Sequence, residues 1–111
     1  MANDFENRIA SNVGTSRVDM YTTPSAVGKR SMLIGLELAN ITGSAIAVDV
    51  EIWDESATAY VVIGNNINIP ANSTLSFISG QKIVLNEGDK VSVTSDTSAS
   101  LNAIASILED I

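Results

Sequence analysis

The 111-residue chain reads as all-β: a single antiparallel β-sandwich, jelly-roll or Ig-like, of about eight short strands behind an N-terminal arm. Three observations carry this expectation. Apolar runs alternate at period two and are bounded by Gly, Asn, Ser or Pro. Hydrophobic residues make up 45% of the chain but aromatics only 5%, so the core is built from Val, Ile, Leu and Ala, with Trp53, Phe77, Tyr21 and Tyr60 as its few large pieces. The length suits one domain with a sizeable core and leaves no room for a second.

Residues 1–12 stand apart as the arm, and residues 13–111 form the sandwich domain. The arm is polar, with Phe5 and Ile9 four apart and Asp4 placed to cap a single helical turn. Two readings of the arm stand side by side: a docking segment that folds against a neighbouring subunit, since Phe5 and Ile9 would be wasted in a purely solvated tail, and a frayed terminus, the default for domain ends. The β pattern begins at Arg17–Tyr21 and stops at Pro24. Ser31–Asn40 puts Met32, Ile34, Leu36 and Leu38 on one face and Leu33, Gly35, Glu37 and Ala39 on the other, as a central strand does. Asn40-Ile41-Thr42-Gly43 supplies a turn into Ala45–Trp53, where Ile46, Val48, Val50 and Ile52 alternate with Ala47, Asp49, Glu51 and Trp53; these two strands are expected to form a hairpin. Further strands follow at 59–63, 66–69, 74–78, 82–85, 90–95 and 101–108. Pro70 lacks a backbone donor and suits a strand exit, and Asn72, Ser73 and Glu87-Gly88-Asp89 bring turn chemistry. The last segment also fits helical spacing through Leu101, Ile104, Ala105 and Leu108, but a sandwich needs a closing strand.

Composition excludes more than it proposes. Thirteen acids against six bases leave a net charge of -7, which repels nucleic acid and anionic membrane. Cysteine is absent, so there is neither a disulfide framework nor a thiolate ligand. No cationic start leads into an apolar segment, and no stretch of about 18 apolar residues occurs, so synthesis and folding in a host cytoplasm are expected. Histidine is absent as well, which removes the commonest general base and metal ligand. No catalytic, cofactor-binding or metal-binding residue is assigned. Ser79-Gly80-Gln81-Lys82 matches a Ser-x-x-Lys spacing, but at a turn and not on a helix. Asp49, Glu51, Asp54 and Glu55, with Asn86, Glu87 and Asp89, offer oxygen ligands of the calcium type without EF-hand spacing, and read as a solvated face and a polar turn. Asn40-Ile41-Thr42 and Asn72-Ser73-Thr74 match the glycosylation pattern and read as turn residues. Trp53 projects opposite Ile46, Val48, Val50 and Ile52, towards an outer face or rim, which suits a Trp that caps the sandwich edge and equally a sugar-stacking platform or an interface anchor. Phe5, Ile9 and Trp53 are therefore the candidate partner-binding residues.

The strand ending Tyr21-Thr22-Thr23-Pro24, the run Leu36-Glu37-Leu38-Ala39-Asn40-Ile41-Thr42-Gly43, the exit Ile69-Pro70-Ala71-Asn72-Ser73-Thr74-Leu75 and the turn Leu85-Asn86-Glu87-Gly88-Asp89-Lys90-Val91 span most of residues 18–95. In their order and spacing the chain resembles the small β-sandwich virion structural proteins of tailed bacteriophages, the capsid decoration and head-tail or tail accessory proteins. The resemblance implies a non-enzymatic virion component, often present in many copies, whose partner is the major capsid protein or another virion protein; it does not fix the location within the particle, and the acidic surface favours the capsid exterior. The resemblance also implies a homo-oligomer, with a trimer favoured. A neck, tail or fibre-associated protein is the alternative within that class. A carbohydrate- or receptor-binding module is the alternative outside it, with Trp53 and Tyr60 stacking and Asn65, Asn66 and Asn68 hydrogen bonding.

Overall fold

A computed structural model of the chain describes residues 3–26 and 28–110. Among these residues there are eight strands and no helix: β1 (Asn3–Val13), β2 (Val18–Thr22), β3 (Ser31–Asn40), β4 (Ile46–Asp54), β5 (Ala59–Ile69), β6 (Thr74–Leu85), β7 (Lys90–Ser95) and β8 (Leu101–Asp110). All pairings are antiparallel. β1 pairs with β8, β2 with β7, β3 with β6 and β4 with β5, the pattern of one long hairpin. That hairpin is rolled up by two further pairings, β3 with β8 and β4 with β7. The result is two four-stranded sheets, sheet A in the order β1-β8-β3-β6 and sheet B in the order β2-β7-β4-β5. This is the jelly roll, the arrangement expected of the chain.

The core lies between the sheets and is almost wholly aliphatic. Leu33, Leu36 and Leu38 of β3, Val48 and Val50 of β4, Val91 and Val93 of β7, and Leu101, Ala105 and Ile107 of β8 are completely buried. β8 alternates without interruption, Leu101, Ala103, Ala105, Ile107 and Glu109 facing in. Its strand character follows from that period of two, which a helix could not bury.

Three expectations change. β3 and β4 do not form a hairpin: they belong to different sheets, and the Ile41–Ala45 connection crosses between them. Asn40 makes the crossing possible. Its buried amide donates to the carbonyls of Ser44 (2.8 Å), Ile69 (3.0 Å) and Pro70 (3.1 Å), while its Oδ1 accepts from the Thr42 amide (2.9 Å) and hydroxyl (2.8 Å). Backbone groups stripped of sheet partners at the corner are thus satisfied by one side chain.

Second, the face assignment in β3 holds only in part. Its register slips between Leu33 and Gly35 against both β6 and β8, a bulge that turns the alternation over, so Leu33, Leu36 and Leu38 face the core while Met32 and Ile34 do not. Similar irregularities make single strands of what reads as two each: 59–63 and 66–69 are both parts of β5, and 74–78 and 82–85 are both parts of β6.

Third, residues 3–13 carry no helical turn. They are β1, the outer strand of sheet A, in register with β8 from Asn3 opposite Asp110 to Ala10 opposite Ala103. Ala10 and Val13 enter the core, which ties this segment to the sandwich. The side chain of Asp4, expected to cap a helix, lies outside the described side chains.

Candidate docking face

The inward parity of each strand in sheet A fixes what points out. On β1 the outward residues are Phe5, Asn7 and Ile9, because Ala10 is buried on the opposite side. On β8 they are Asn102, Ile104, Ser106 and Leu108. The pairing registers align these positions into rows running across all four strands. One row is entirely apolar: Phe5 faces Leu108, Leu108 faces Met32, and Met32 faces Val84. The next is small and polar, Asn7-Ser106-Gly35-Ser79. The third runs Ile9-Ile104-Glu37-Ser76, and Glu37 is the one charged residue in the three rows.

Phe5 is 77% exposed, Ile9 69% and Val84 56%. An antiparallel sheet with one wet face normally carries polar residues there. Here a large aromatic and three aliphatic side chains cross the solvent face from edge to edge, and a shallow apolar depression opens beside Ile9 and Ile104, lined also by Ala39 and Thr74. Contiguous exposed apolar surface of this kind marks interaction sites.

Beneath β1 a polar cluster holds the edge strand in place. Arg8 pairs with Glu6 at 2.6 Å and lies 5.4 Å from the centre of the Tyr21 ring. The Tyr21 hydroxyl donates to Glu109 and sits 2.7 Å from Ser31 Oγ, so β1, β2, β3 and β8 meet around one phenol. Burial, and then the adjacent Glu109 carboxylate, push the Tyr21 phenol up to about 12. The Arg8 guanidinium, with Glu109, holds the Glu6 carboxyl below the usual range.

Of the three residues expected to bind a partner, the structure brings two together. Phe5 and Ile9 share the outer face of sheet A, separated by Asn7. Trp53 lies on the opposite sheet, in a different setting. Its indole N–H donates to Glu55 (2.7 Å) and its ring meets Tyr60 edge-on, with centroids 4.9 Å apart and planes at 61°. Lys90 Nζ sits 5.5 Å from the Trp53 ring and the Arg17 guanidinium 3.7 Å from that of Tyr60, while Arg17 also donates to both Glu51 oxygens (2.9 and 3.2 Å). Glu51 holds the Arg17 guanidinium more firmly protonated than usual. Tyr60 donates to Asp19 at 3.0 Å. A cation thus lies against one face of each ring, Lys90 on Trp53 and Arg17 on Tyr60, on sheet B.

The acids suggested for calcium have other partners. Asp89 accepts from the backbone amides of Glu55 (3.0 Å) and Asn86 (2.9 Å), Asp49 from that of Asn66 (2.8 Å), and Asp54 from Ser56. Among the described residues no three acids gather into a cation site. Ser79 and Lys82 both lie in β6. Leu108, Met32 and Val84 were not among the expected contact residues. Their signal was present, as apolar residues at positions whose strand neighbours also had to be buried, but without the register it reads as core.

No protein-family model matches the chain, and no curated protein matches it. Solved structures do. A chain of the acid-stable capsid of the Helicobacter pylori bacteriophage KHP30 superposes with a TM-score of 0.59, at 10% identity, over 99% of this chain and 89% of that one. A subunit of the disulfide-linked pili that form Bacillus endospore appendages gives 0.58, at 14% identity, over 97% and 85%. The infectious bursal disease virus particle (Gx strain) gives 0.53 at 12% identity, over 97% of this chain but only 31% of that one. What these proteins share with the chain is the fold.

Proposed function

We propose that the protein is a non-enzymatic virion structural protein, a capsid decoration protein that binds the outside of a phage head and stabilises the shell. The observation that carries this reading is the apolar row Phe5-Leu108-Met32-Val84 on a face that a free-standing sandwich would keep polar. Laid against a flat capsid surface, sheet A buries that row and the neighbouring Ile9 and Ile104, while the acidic remainder of the molecule stays in solvent. The role asks for nothing more than a rigid plate with one adhesive side. Repetition over a lattice multiplies weak contacts through avidity, so modest affinity per copy suffices. Two further facts support the reading. Small assembly subunits of the same fold, scarcely longer than this chain, occur in a phage capsid and in pili. The net charge of -7 suits the outside of a particle better than a position against packaged DNA.

The test is mass spectrometry of purified particles of the phage whose genome encodes the chain, combined with labelling by a membrane-impermeant amine reagent. The reading expects the chain at a stoichiometry close to that of the major capsid protein, with Lys90 of sheet B labelled on intact particles and Lys82, which shares the outer face of sheet A with Val84, protected. A copy number of a few per particle, recovered with isolated tails, would move the same surface to a neck or tail protein. Absence from particles would overturn the reading.

A further inference from the structure

From Ser56 through Gln81 the chain contains no Asp, Glu, Lys or Arg, so all thirteen acids and six bases lie outside almost a quarter of its length. In space this run is one flank of the molecule. It comprises all of β5, the outer strand of sheet B, the turn at Pro70–Ser73, and β6 up to Gln81, the outer strand of sheet A. The two strands close the sandwich together: a Cβ added at Gly64 of β5 would lie 2.9 Å from the Phe77 ring of β6. The opposite flank, β1 and β2, carries Glu6, Arg8 and Asp19. The uncharged flank is also sticky, since Val61 (50% exposed), Val62 (48%) and Ile63 stand consecutively on β5.

β5 is hydrogen-bonded on one side only, to β4. Natural edge strands are normally guarded by charge, most often lysine, because an open edge pairs with any strand that meets it. Here the guard is missing in a protein that is otherwise strongly acidic. We infer that this flank is a contact between two copies of the chain, in which the β5 edges pair antiparallel across a twofold axis. Electrostatics selects the occupant. A different partner is recruited best by charge opposite to -7, and nothing in such a contact demands a neutral flank. Two identical chains of charge -7 repel least along strands with no charge of their own, and β5 is such an outer strand, its nearest acids being Asp49, Glu51 and Asp54 on the neighbouring β4.

Ala59–Val62 is the pairing segment, since it keeps regular register with β4 whereas Ile63 and Asn65–Asn66 depart from it. Two antiparallel copies of one edge meet isologously, so the contact closes at two chains and does not propagate into a fibre. Twofold closure replaces the threefold arrangement implied by the phage resemblance. The inference stands independently of the docking role of sheet A, which uses the outer face of that sheet and not the β5 edge of sheet B.

Size-exclusion chromatography with light scattering on the full chain tests it. The wild type is expected at about twice the 11.6 kDa of one chain, and Val62→Lys at a single chain with its thermal midpoint retained, because Val62 is exposed. Ala59→Lys, at the exposed start of the same edge, must behave likewise and serves should Val62→Lys unfold. Phe5→Asp must leave the dimer intact. A monomeric wild type, or dimers in both lysine variants, would overturn the inference.

Discussion

Phe5 and Val84 stand on the two outer strands of sheet A, three strand spacings or about 14 Å apart, yet fall in a single cross-strand row joined by Leu108 and Met32. Neither contributes to the core, and both are more than half exposed. Their alignment makes an adhesive line of residues that sequence places 79 positions apart.

Replacing either residue by aspartate should therefore separate binding from folding. Phe5→Asp and Val84→Asp are expected to shift stability by no more than about 0.5 kcal/mol, as exposed substitutions do. Particle affinity should fall on the order of 30-fold for a contact worth about 2 kcal/mol. Chemical denaturation alongside particle binding distinguishes the two effects, and equal losses in both would show that the row is structural.

Asn40 should be the most sensitive polar residue. Asn40→Ala removes a donor from the carbonyls of Ser44, Ile69 and Pro70 and the acceptor of the Thr42 amide, while Ser44 and Pro70 keep second donors in the Thr42 hydroxyl and the Ser73 amide. A loss of about 2–3 kcal/mol is expected in urea unfolding. Thr42→Ala removes a hydroxyl that bonds Asn40 Oδ1 and the Ser44 carbonyl and amide, all at a more exposed position, and should cost closer to 1 kcal/mol.

The Tyr21 phenol gives the fold an alkaline limit. Its folded value lies near 12 against an ordinary value of 10.0, so the native state favours the protonated phenol. The stabilisation is complete below pH 10 and is lost as pH rises through about 12. Thermal midpoints followed across that window should fall for the wild type and fall less steeply for Tyr21→Phe. Parallel slopes in the two proteins would contradict the assignment.

Gly64 is held by space and not by backbone angle. A methyl there would lie 2.5 Å from Ile67 Cδ1 and 2.9 Å from the Phe77 ring, where β5 and β6 close the sandwich. Gly64→Ala is expected to destabilise by about 1–3 kcal/mol through overpacking. Adding Phe77→Leu should recover part of that loss in the same unfolding assay, whereas simple additivity would place the strain elsewhere.

Local periodicity made most strands legible. Ser31–Asn40 and Lys90–Ser95 have the bounds their alternation indicates, and the closing segment 101–108 lies in β8, because apolar parity there is unbroken. The exit at Pro70 and the Asn86–Asp89 turn were legible from turn chemistry, with Asn72 and Gly88 adopting the positive φ their residue types allow (57° and 79°). What was not legible is nonlocal. β3 and β4 look like a hairpin because adjacent strands usually pair, but the jelly roll sends β3 to β6 and β8, and only the buried side chain of Asn40 marks the corner. Bulges at Ile34 and Ile63 invert parity, and the glycines that follow them, Gly35 and Gly64, are their local mark in the sequence, one that does not say which residue is inserted. Phe5 and Ile9 stood out as apolar residues without a core to join; Leu108, Met32 and Val84 did not, because their shared face depends on register between strands distant in sequence.

The central claim is that the outer face of sheet A attaches the protein to a virion surface. Co-sedimentation of purified chain with particles of the phage that encodes it, comparing wild type with Phe5→Asp/Val84→Asp, tests this most directly. The account predicts saturable binding of the wild type at a fixed ratio to capsid subunits and loss of binding by the folded double variant. Wild type left in the supernatant, or a double variant that saturates particles as the wild type does, would contradict it.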